Sequence, residues 1–440
     1  MCTPLIRAVV MCISIALLAV SNGPANADLP SHRKVVTLRP LPSEHLHELE
    51  TGFPIFSGFG TAVAIRNGTA FVGIPRGFPD SRVAVYELTT GGWVRTATLE
   101  VADPLVFGWN GFGRTIVFRD GLAVIASFTF LHVFRRVNGA WIEIQKLAPP
   151  QGGAGAFFEI TSMRFENGIL VVGSNPPSVP PFHESVVHLY ELAANGKLVQ
   201  RATLRAPQSN GGFGGDVAVA GNLVVVGARS AAYLFRRRSD GSWVHTQKLI
   251  AADTSPVESF GGAVAIDRGL IIVGAPDHEC LESEVSFGGF CDVSGGGTRG
   301  PNGIGAGGAA YGFVPVAGQY VQVFKLRPQP DEHANYHQFG RRIAMMGQYI
   351  VIDAAEQSAG GDGIFEPFSI RNGLSFTYRR DGSTVTARGL TSGYVASDSI
   401  GLANNWLLIG TAHDNQFDCQ TELQFCFGEG NIFDLNRFEQ

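Results

Sequence analysis

Apolar and polar residues alternate along most of this chain in short runs, the period of half-buried β-strands. The runs break at Gly, Asn and Asp, the residues of tight turns. The alternation comes in a recurring phrase. Phe59–Gly73 (FGTAVAIRNGTAFVG), Phe112–Ala126 (FGRTIVFRDGLAVIA), Phe213–Gly227 (FGGDVAVAGNLVVVG), Phe260–Gly274 (FGGAVAIDRGLIIVG) and Phe339–Asp353 (FGRRIAMMGQYIVID) all open with Phe-Gly. Each continues as strand, turn, strand and ends at a small or turn residue. Met163–Gly173 (MRFENGILVVG) and Ile400–Gly410 (IGLANNWLLIG) keep the strand–turn–strand core but lack the Phe-Gly opening.

A second phrase follows. Val83–Leu99, Leu131–Leu147, Val186–Leu204, Ala232–Leu249 and Ala310–Leu326 each read as two period-two strands around a Gly-containing hairpin. The first strand carries an aromatic such as Tyr86, Phe134 or Phe235, and the second opens on Trp93, Trp141 or Trp243. The regular spacing assigns these aromatics to packing between neighbouring units. Terminal positions 73, 126, 173, 227, 274, 353 and 410 are separated by 53, 47, 54, 47, 79 and 57 residues. That is the size of a four-stranded propeller blade. The predicted fold class is all-β, a seven-bladed β-propeller. A β-sandwich or β-solenoid also uses many short strands, but four strands per period favour the propeller.

With strands labelled A to D, the seventh unit has A and B at Ile400–Gly410, C at Asn431–Phe438 and no D. His32–Pro42 (HRKVVTLRPLP) matches the D phrase of other units, such as VRTATLEVADP. The N-terminal strand is therefore predicted to complete the last blade and close the ring, which removes exposed sheet edges.

The N-terminus itself reads as a signal peptide. Arg7 is followed by an apolar run, Ala8–Val20, and by Ala25-Asn26-Ala27, an A-x-A cleavage pattern. The alternative is an N-terminal anchor helix, but the run is shorter than the ~20 residues a membrane span needs. The expected organisation is a signal over residues 1–27 and one propeller over 28–440, with a secreted or periplasmic location. Composition narrows the partners. The net charge is −5 and only 16% of residues are charged, so no basic face is expected for nucleic acid. The runs Arg135-Arg136, Arg236-Arg237-Arg238 and Arg379-Arg380 recur at equivalent points of separate units and read as solvated strand ends.

After processing, Cys280, Cys291, Cys419 and Cys426 remain. Their short spacings and an oxidising destination predict local disulfides, 280 with 291 and 419 with 426. A zinc site is the alternative, though no C-x₂-C spacing supports it.

The phrases Phe260-Gly261 with Val273-Gly274-Ala275-Pro276, and Ala232–Leu249 with its Gln-Lys-Leu ending, resemble the bacterial FG-GAP repeat family. That family is similar to the propeller of integrin α-subunits. The resemblance spans essentially the mature chain, strongly in five units and weakly in the third and seventh. It implies a seven-bladed propeller and extracellular recognition. It also implies Ca²⁺ loops between A and B, but Arg66-Asn67-Gly68, Arg119-Asp120-Gly121 and Asp267-Arg268-Gly269 each hold at most one carboxylate. Calcium needs ~6–8 oxygen ligands, so no metal and no cofactor are expected.

The long insertions, 174–185, 275–309, 354–373 and 411–430, nearly all join B to C and share one face of the ring. Loops on a rigid scaffold commonly carry function. The candidate binding face comprises His183, Asp277, His278, Glu279, Asp353, Asp362, His413 and Asp414, with His333 and His337 from the D–A linker. Glu184 and Glu356 lie in the same insertions. The Gly-rich run Ser294–Gly308 lacks the Gly-Lys-Ser/Thr ending of a phosphate loop. Three readings follow. The first is an exported binding protein for an extracellular protein or glycan. The second is a polysaccharide hydrolase or lyase with carboxylates or a histidine at the channel mouth, without a G-x-S-x-G nucleophile motif. The third is a structural subunit. Ligand identity and oligomeric state are not encoded in any recognisable motif.

Overall fold

Asn67-Gly68, Asp120-Gly121, Asn167-Gly168 and Arg268-Gly269 hold both residues at positive φ. This is the type I′ geometry whose twist matches a hairpin. Such turns make the first two strands of each unit inseparable neighbours.

The computed structural model describes residues 19–20, 31–41, 47–48, 54–55, 58–76, 81–103, 110–128, 130–148, 159–175, 185–208, 211–251, 253, 259–276, 307–327, 336–357, 370–382, 384–394, 399–411 and 429–438. Blade 1 is Val63–Arg66, Thr69–Ile74, Arg82–Thr89 and Gly92–Glu100. Blade 2 is Thr115–Arg119, Leu122–Ala126, Leu131–Val137 and Ala140–Leu147. Blade 3 is Glu159–Glu166, Ile169–Asn175, Val186–Leu192 and Leu198–Arg205. Blade 4 is Val217–Ala220, Leu223–Ala228, Ala231–Arg237 and Trp243–Leu249. Blade 5 is Ala263–Asp267, Leu270–Ala275, Ala309–Val316 and Gln319–Leu326. Blade 6 is Ile343–Met346, Tyr349–Gln357, Ile370–Asp381 and Thr384–Tyr394. Blade 7 is Ser399–Ala403, Trp406–Thr411, Glu429–Phe438 and, from the N-terminus, His32–Leu38.

Within each blade the strands pair antiparallel in the order A, B, C, D. The A strands neighbour one another in a closed circuit from blade 1 through blade 7 and back. The N-terminal strand occupies the predicted D position of blade 7, and a register detail supports the equivalence. In blade 2, Val133 pairs with Gln145 but Phe134 with Glu143, so Ile144 is an extra residue in strand D. The same bulge recurs at Thr96, Arg201, Thr246, Val323 and Arg388. It recurs again at Val35, between the Lys34–Phe433 and Val36–Ile432 pairs. His32 Nε2 also lies 2.6 Å from Thr377 Oγ1 of blade 6. Burial lowers the His32 pKa to about 4, so the ring is neutral in this contact at pH 7.

The core is a set of seams. Seven hydrophobic clusters each join two adjacent blades, the last joining blade 7 to blade 1. The Phe of each Phe-Gly opening plugs the seam before its own blade and packs on its own C-strand aromatic. Phe112 meets Phe134 at 5.9 Å, Phe260 meets Phe313 at 6.2 Å, and Phe339 meets Phe376 at 5.5 Å. The tryptophans pack backwards across the seams, Trp141 against Phe71 and Trp93 against Trp406. The Gln of the Gln-Lys-Leu phrase clamps the next blade. Gln247 exchanges two 2.7 Å hydrogen bonds with the Tyr320 backbone, and Gln145 does the same with Leu198 at 2.8 Å.

The glycines fix how close two blades come. The Phe-Gly glycines 60, 113, 214, 261 and 340 all have positive φ. Each donates its N–H to the carbonyl that ends strand B of its own blade, as Gly261 does to Gly274 at 2.9 Å. Its own carbonyl presses on the terminal glycine of the preceding blade. A Cβ on Gly73 would lie 2.0 Å from Gly113 O, and one on Gly227 would lie 2.2 Å from Gly261 O. Gly173, Gly274 and Gly410 stand likewise against Gly214, Gly340 and Gly60.

One reading needs correction. Residues 354–373 were expected to be a loop, but the B–C ladder of blade 6 continues through Glu356–Asn372 and Gln357–Ile370. Tyr336–His337 adds a strand beside Ala355 and Glu356, so those backbone groups gain ladder partners. Ala19–Val20, inside the expected signal segment, pairs parallel with Thr384–Val385.

Two outcomes follow. Gly227→Ala should lower unfolding free energy by roughly 1–3 kcal/mol through overpacking. Exposed Gly91→Ala, whose Cβ meets only Thr89 Oγ1 at 3.7 Å, should change it by less than about 0.5 kcal/mol. Equal effects in urea titrations would refute the close-approach account. Deleting residues 28–42 removes Leu38 and Val36 from the blade 7–blade 1 seam, and should cost at least about 3 kcal/mol. A truncated chain that melts like the full one would rule out closure by this strand.

Candidate functional site

Because strands alternate in direction, the A–B turns emerge on one face, and the B–C connections and D–A linkers on the other. Every A–B connection is two residues long. The long B–C connections follow Asn175, Ala275, Gln357 and Thr411. All four therefore leave from the same face.

Most sequence-predicted site residues sit in these connections or in a D–A linker. His183, Asp277, His278, Glu279, His333, Asp362, His413 and Asp414 lie outside the described residues, as do Cys280, Cys291, Cys419 and Cys426. His337 lies on the short strand beside Ala355. Asp353 is placed differently from the expectation of a surface group. It is 1% exposed and accepts a hydrogen bond from Ser375 Oγ. It holds the strand-B terminal position that is glycine in five other blades.

The A strands of all seven blades wall a central cavity of about 530 Å³. The start of each A strand faces the loop side. At that mouth stand Thr61, Arg114, Asp216, Arg341, Arg342 and Ser399. One layer deeper, six blades contribute a small or apolar residue: Ala64, Val117, Ala218, Ala265, Ala344 and Gly401. Blade 3 contributes Arg164. At the A–B turn end stand Arg66, Arg119, Glu166 and Met346. Six arginines and two carboxylates line the cavity, a positive surplus inside a chain whose net charge is −5.

The two carboxylates are held by cations and backbone. Glu166 pairs with Arg119 at 3.1 Å. Asp216 accepts from Val217 N and Val264 N, both at 2.9 Å, and lies 3.5 Å from Arg164 Nη2. Burial raises the pKa of both carboxyl groups, and the neighbouring arginines oppose it. The Arg66 pKa is lowered by burial and then by Arg119. Arg114 stacks 5.0 Å over Phe128 at the loop-side rim. The channel arginines escaped sequence reasoning because they are spread over four repeat positions: Arg114 and Arg341 follow the Phe-Gly, Arg66 and Arg119 precede the A–B turn, and Arg164 and Arg342 each stand alone at theirs. The signal that could reveal them is an alignment of the seven A strands, in which Arg164 replaces a small residue.

A second polar cluster lies in the seam between blades 1 and 2. Asp103, in the linker after blade 1, accepts from Ser127 Oγ at 2.6 Å and from Lys146 Nζ at 2.6 Å. His132 lies with Nε2 2.9 Å from Asp103 and Nδ1 2.9 Å from Glu143. Burial alone would raise the Asp103 pKa, but hydrogen bonds from His132, Lys146 and Ser127 together outweigh it and hold the value at about 2. The motif recurs where Lys325 donates to Asp253 at 2.6 Å. Its repetition and burial identify it as a clamp between linker and blade. Among the described residues, no group of three or more His, Cys, Asp or Glu side chains is placed to hold a metal ion, and no helix is long and apolar enough to cross a membrane.

Fold and channel define a closed seven-bladed β-propeller with a cationic axis. The sequence model of the FG-GAP repeat matches residues 243–281, from strand D of blade 4 through A and B of blade 5. With that match and seven blades built on the same phrase, the chain is a β-propeller that carries an FG-GAP repeat. No functionally curated protein matches it in sequence. Among solved structures it is similar to a protein from Lactobacillus plantarum, with 12% identity, TM-score 0.46, and 76% of this chain and 88% of that one covered. It is also similar to a "putative 6-phosphogluconolactonase" from Bacteroides uniformis, with 11% identity, TM-score 0.48, and coverages of 84% and 96%. Kluyveromyces lactis Hsv2 aligns with 10% identity, TM-score 0.38, and coverages of 75% and 98%.

The Asp103 clamp gives a pH test. Its folded pKa of about 2 lies below the ordinary 3.8, so its stabilisation is full above the ordinary value and disappears as pH falls through about 2. Asp103→Asn should cost roughly 3–5 kcal/mol at pH 7 by leaving the Lys146 ammonium without its carboxylate. The gap to wild type should narrow between pH about 4 and about 2. A gap independent of pH in denaturant titrations would contradict the assignment.

Proposed function

We propose that this propeller is an exported binding protein that engages an extracellular protein or glycan through its B–C loop face. One observation carries the reading. All four long B–C connections leave one face of a closed ring, whereas on the opposite face the A–B turns are two residues long in all seven blades and the C–D hairpins are two to five residues long in the six blades that have one. A rigid frame that places its sequence variation on one side reduces the ordering cost of recognition. Disulfides 280–291 and 419–426 would fall within two of these connections and pre-organise them further. Export rests on the A-x-A pattern ending at Ala27, and cleavage there would remove Ala19–Val20 from the edge of blade 6.

A second reading, a hydrolase or lyase working at the channel, draws on Glu166 and Asp216, whose pKa values are raised as general acids require. Their engagement by Arg119, Val217 and Val264 favours charge-holding over proton transfer.

The discriminating experiment replaces residues 277–306 by a short Gly-Ser turn. Wild type and variant are then run on a glycan array, in pull-downs against extracellular proteins and in polysaccharide turnover assays. Binding lost in the variant, with the melting temperature unchanged within a few degrees, is the expected result. Turnover by wild type, abolished by Glu166→Gln or Asp216→Asn, would replace the binding reading with the enzymatic one.

A further inference from the structure

The A strand of blade 3 departs from its six counterparts where they are most alike. In the other blades the middle A-strand position is Ala, Val or Gly, as expected where seven strands converge on a narrow axis. In blade 3 it is Arg164, with a side chain 44% exposed although it lies inside the ring. Two residues earlier, and so on the same side of the strand, stands Ser162. Ser162 also lines the cavity, is 7% exposed, and its hydroxyl has no hydrogen-bond partner among the described residues. A buried hydroxyl without a partner loses solvation with no return, unless something outside the chain supplies the bond.

Arg164 has donors to spare. Of the five a guanidinium carries, Nη1 gives one to Met163 O at 2.9 Å. Nη2 lies 3.5 Å from Asp216 Oδ1, longer than a good hydrogen bond. The Asp216 oxygens are already taken by Val217 N and Val264 N. Asp216 therefore steers the guanidinium without saturating it. The small residues Ala64, Ala218, Ala265, Ala344 and Gly401 leave the space opposite clear. At the A–B turn end, Arg66 has no hydrogen-bond or ion-pair partner among the described residues. Burial and then Arg119 lower its pKa, against the attraction of Asp120 and Glu166.

We propose that the central channel is a binding site for a small oxyanion-bearing ligand, held by the Arg164 guanidinium and the Ser162 hydroxyl at the waist, with Arg66 and Arg119 at the far end. Guanidinium geometry suits carboxylate and phosphate equally, and the cavity of about 530 Å³ lies in the range of small-molecule sites. The site is built from strands, so it does not depend on the loop-face reading.

Isothermal titration calorimetry of the full mature chain at low ionic strength tests it. The carboxylate arm uses citrate and trigalacturonate, the phosphate arm pyrophosphate and inositol hexaphosphate, and maltotriose is the neutral control. One arm should bind, with affinity falling as salt rises. Arg164→Gln and Ser162→Ala should weaken it, Arg164→Gln by on the order of ten- to a hundredfold. Arg136→Gln on the ring's outer surface should leave it unchanged. Arg66→Gln, which breaks no ion pair, decides the matter if Arg164→Gln proves poorly folded. The variant with residues 277–306 shortened should keep anion binding even where it loses its macromolecular partner. Absence of binding in both arms would overturn the proposal. So would binding that the channel substitutions weaken no more than Arg136→Gln does.

Discussion

The structure depends on a contact in which no side chain takes part. Where two blades meet, the carbonyl of a Phe-Gly glycine rests against the bare Cα of the glycine ending strand B of the preceding blade. A methyl group there would lie about 2 Å from the carbonyl oxygen. The contact sets the spacing of the blades near the axis. The Phe beside each such glycine then fills the seam at that spacing. The pairing rule is visible within the single chain. Blades 3 and 7 lack the Phe-Gly opening, and the blades preceding them, 2 and 6, are the two whose B strands end in Ala126 and Asp353. Where the Phe-Gly opening is missing from the sequence, the glycine that would receive its carbonyl is missing too.

This geometry distributes stability around the ring. No central core exists, since the axis is a polar channel; apolar burial lies in seven seams, each shared by two blades. A blade with one seam open exposes half of its apolar surface, so closure is a condition for every blade and concerns more than the last. The N-terminal strand achieves it by reproducing the D-strand pattern in full, including the bulge at Val35 and the buried Leu38. His32 extends the latch across to blade 6 through Thr377.

Most of the fold was legible in the sequence because one phrase is repeated, and repetition makes weak local signals mutually reinforcing. Turn chemistry at Asn67-Gly68 and its counterparts fixed the hairpins, and VVTL at residues 35–38 matched the D strands closely enough to reveal the closure. What local pattern could not convey was continuation of a ladder beyond its usual length. The strands flanking residues 358–369 extend because Tyr336–His337 supplies a partner, a long-range fact. Asp353 read as an exposed acid because it follows an apolar strand, as a loop residue would. Its burial depends on Ser375, which the sequence places 22 residues away. The channel was legible only in retrospect. Its lining comes from the A strands of seven separate blades, three to six residues from each, and nothing local to any one strand marks them as neighbours.

Repetition also supplies a criterion for function. A departure from the repeat that is matched by a second departure is explained by packing. Ala126 answers the missing glycine of blade 3, and the carboxylate of Asp353 is met by Ser375. Asp103 with Lys146, and again Asp253 with Lys325, is by contrast a pairing that the repeat itself reproduces. Arg164 departs without such an answer. The residues at its level around the axis stay small or apolar, Asp216 is already committed to backbone amides, and the Ser162 hydroxyl two residues earlier has no partner among the described residues. Placing an arginine at the one layer where every other blade is small or apolar, with an unpaired hydroxyl one layer above it, lowers the stability of an empty channel. A stable fold that retains such a cost without a compensating partner inside itself is most simply understood as keeping it for a partner from outside.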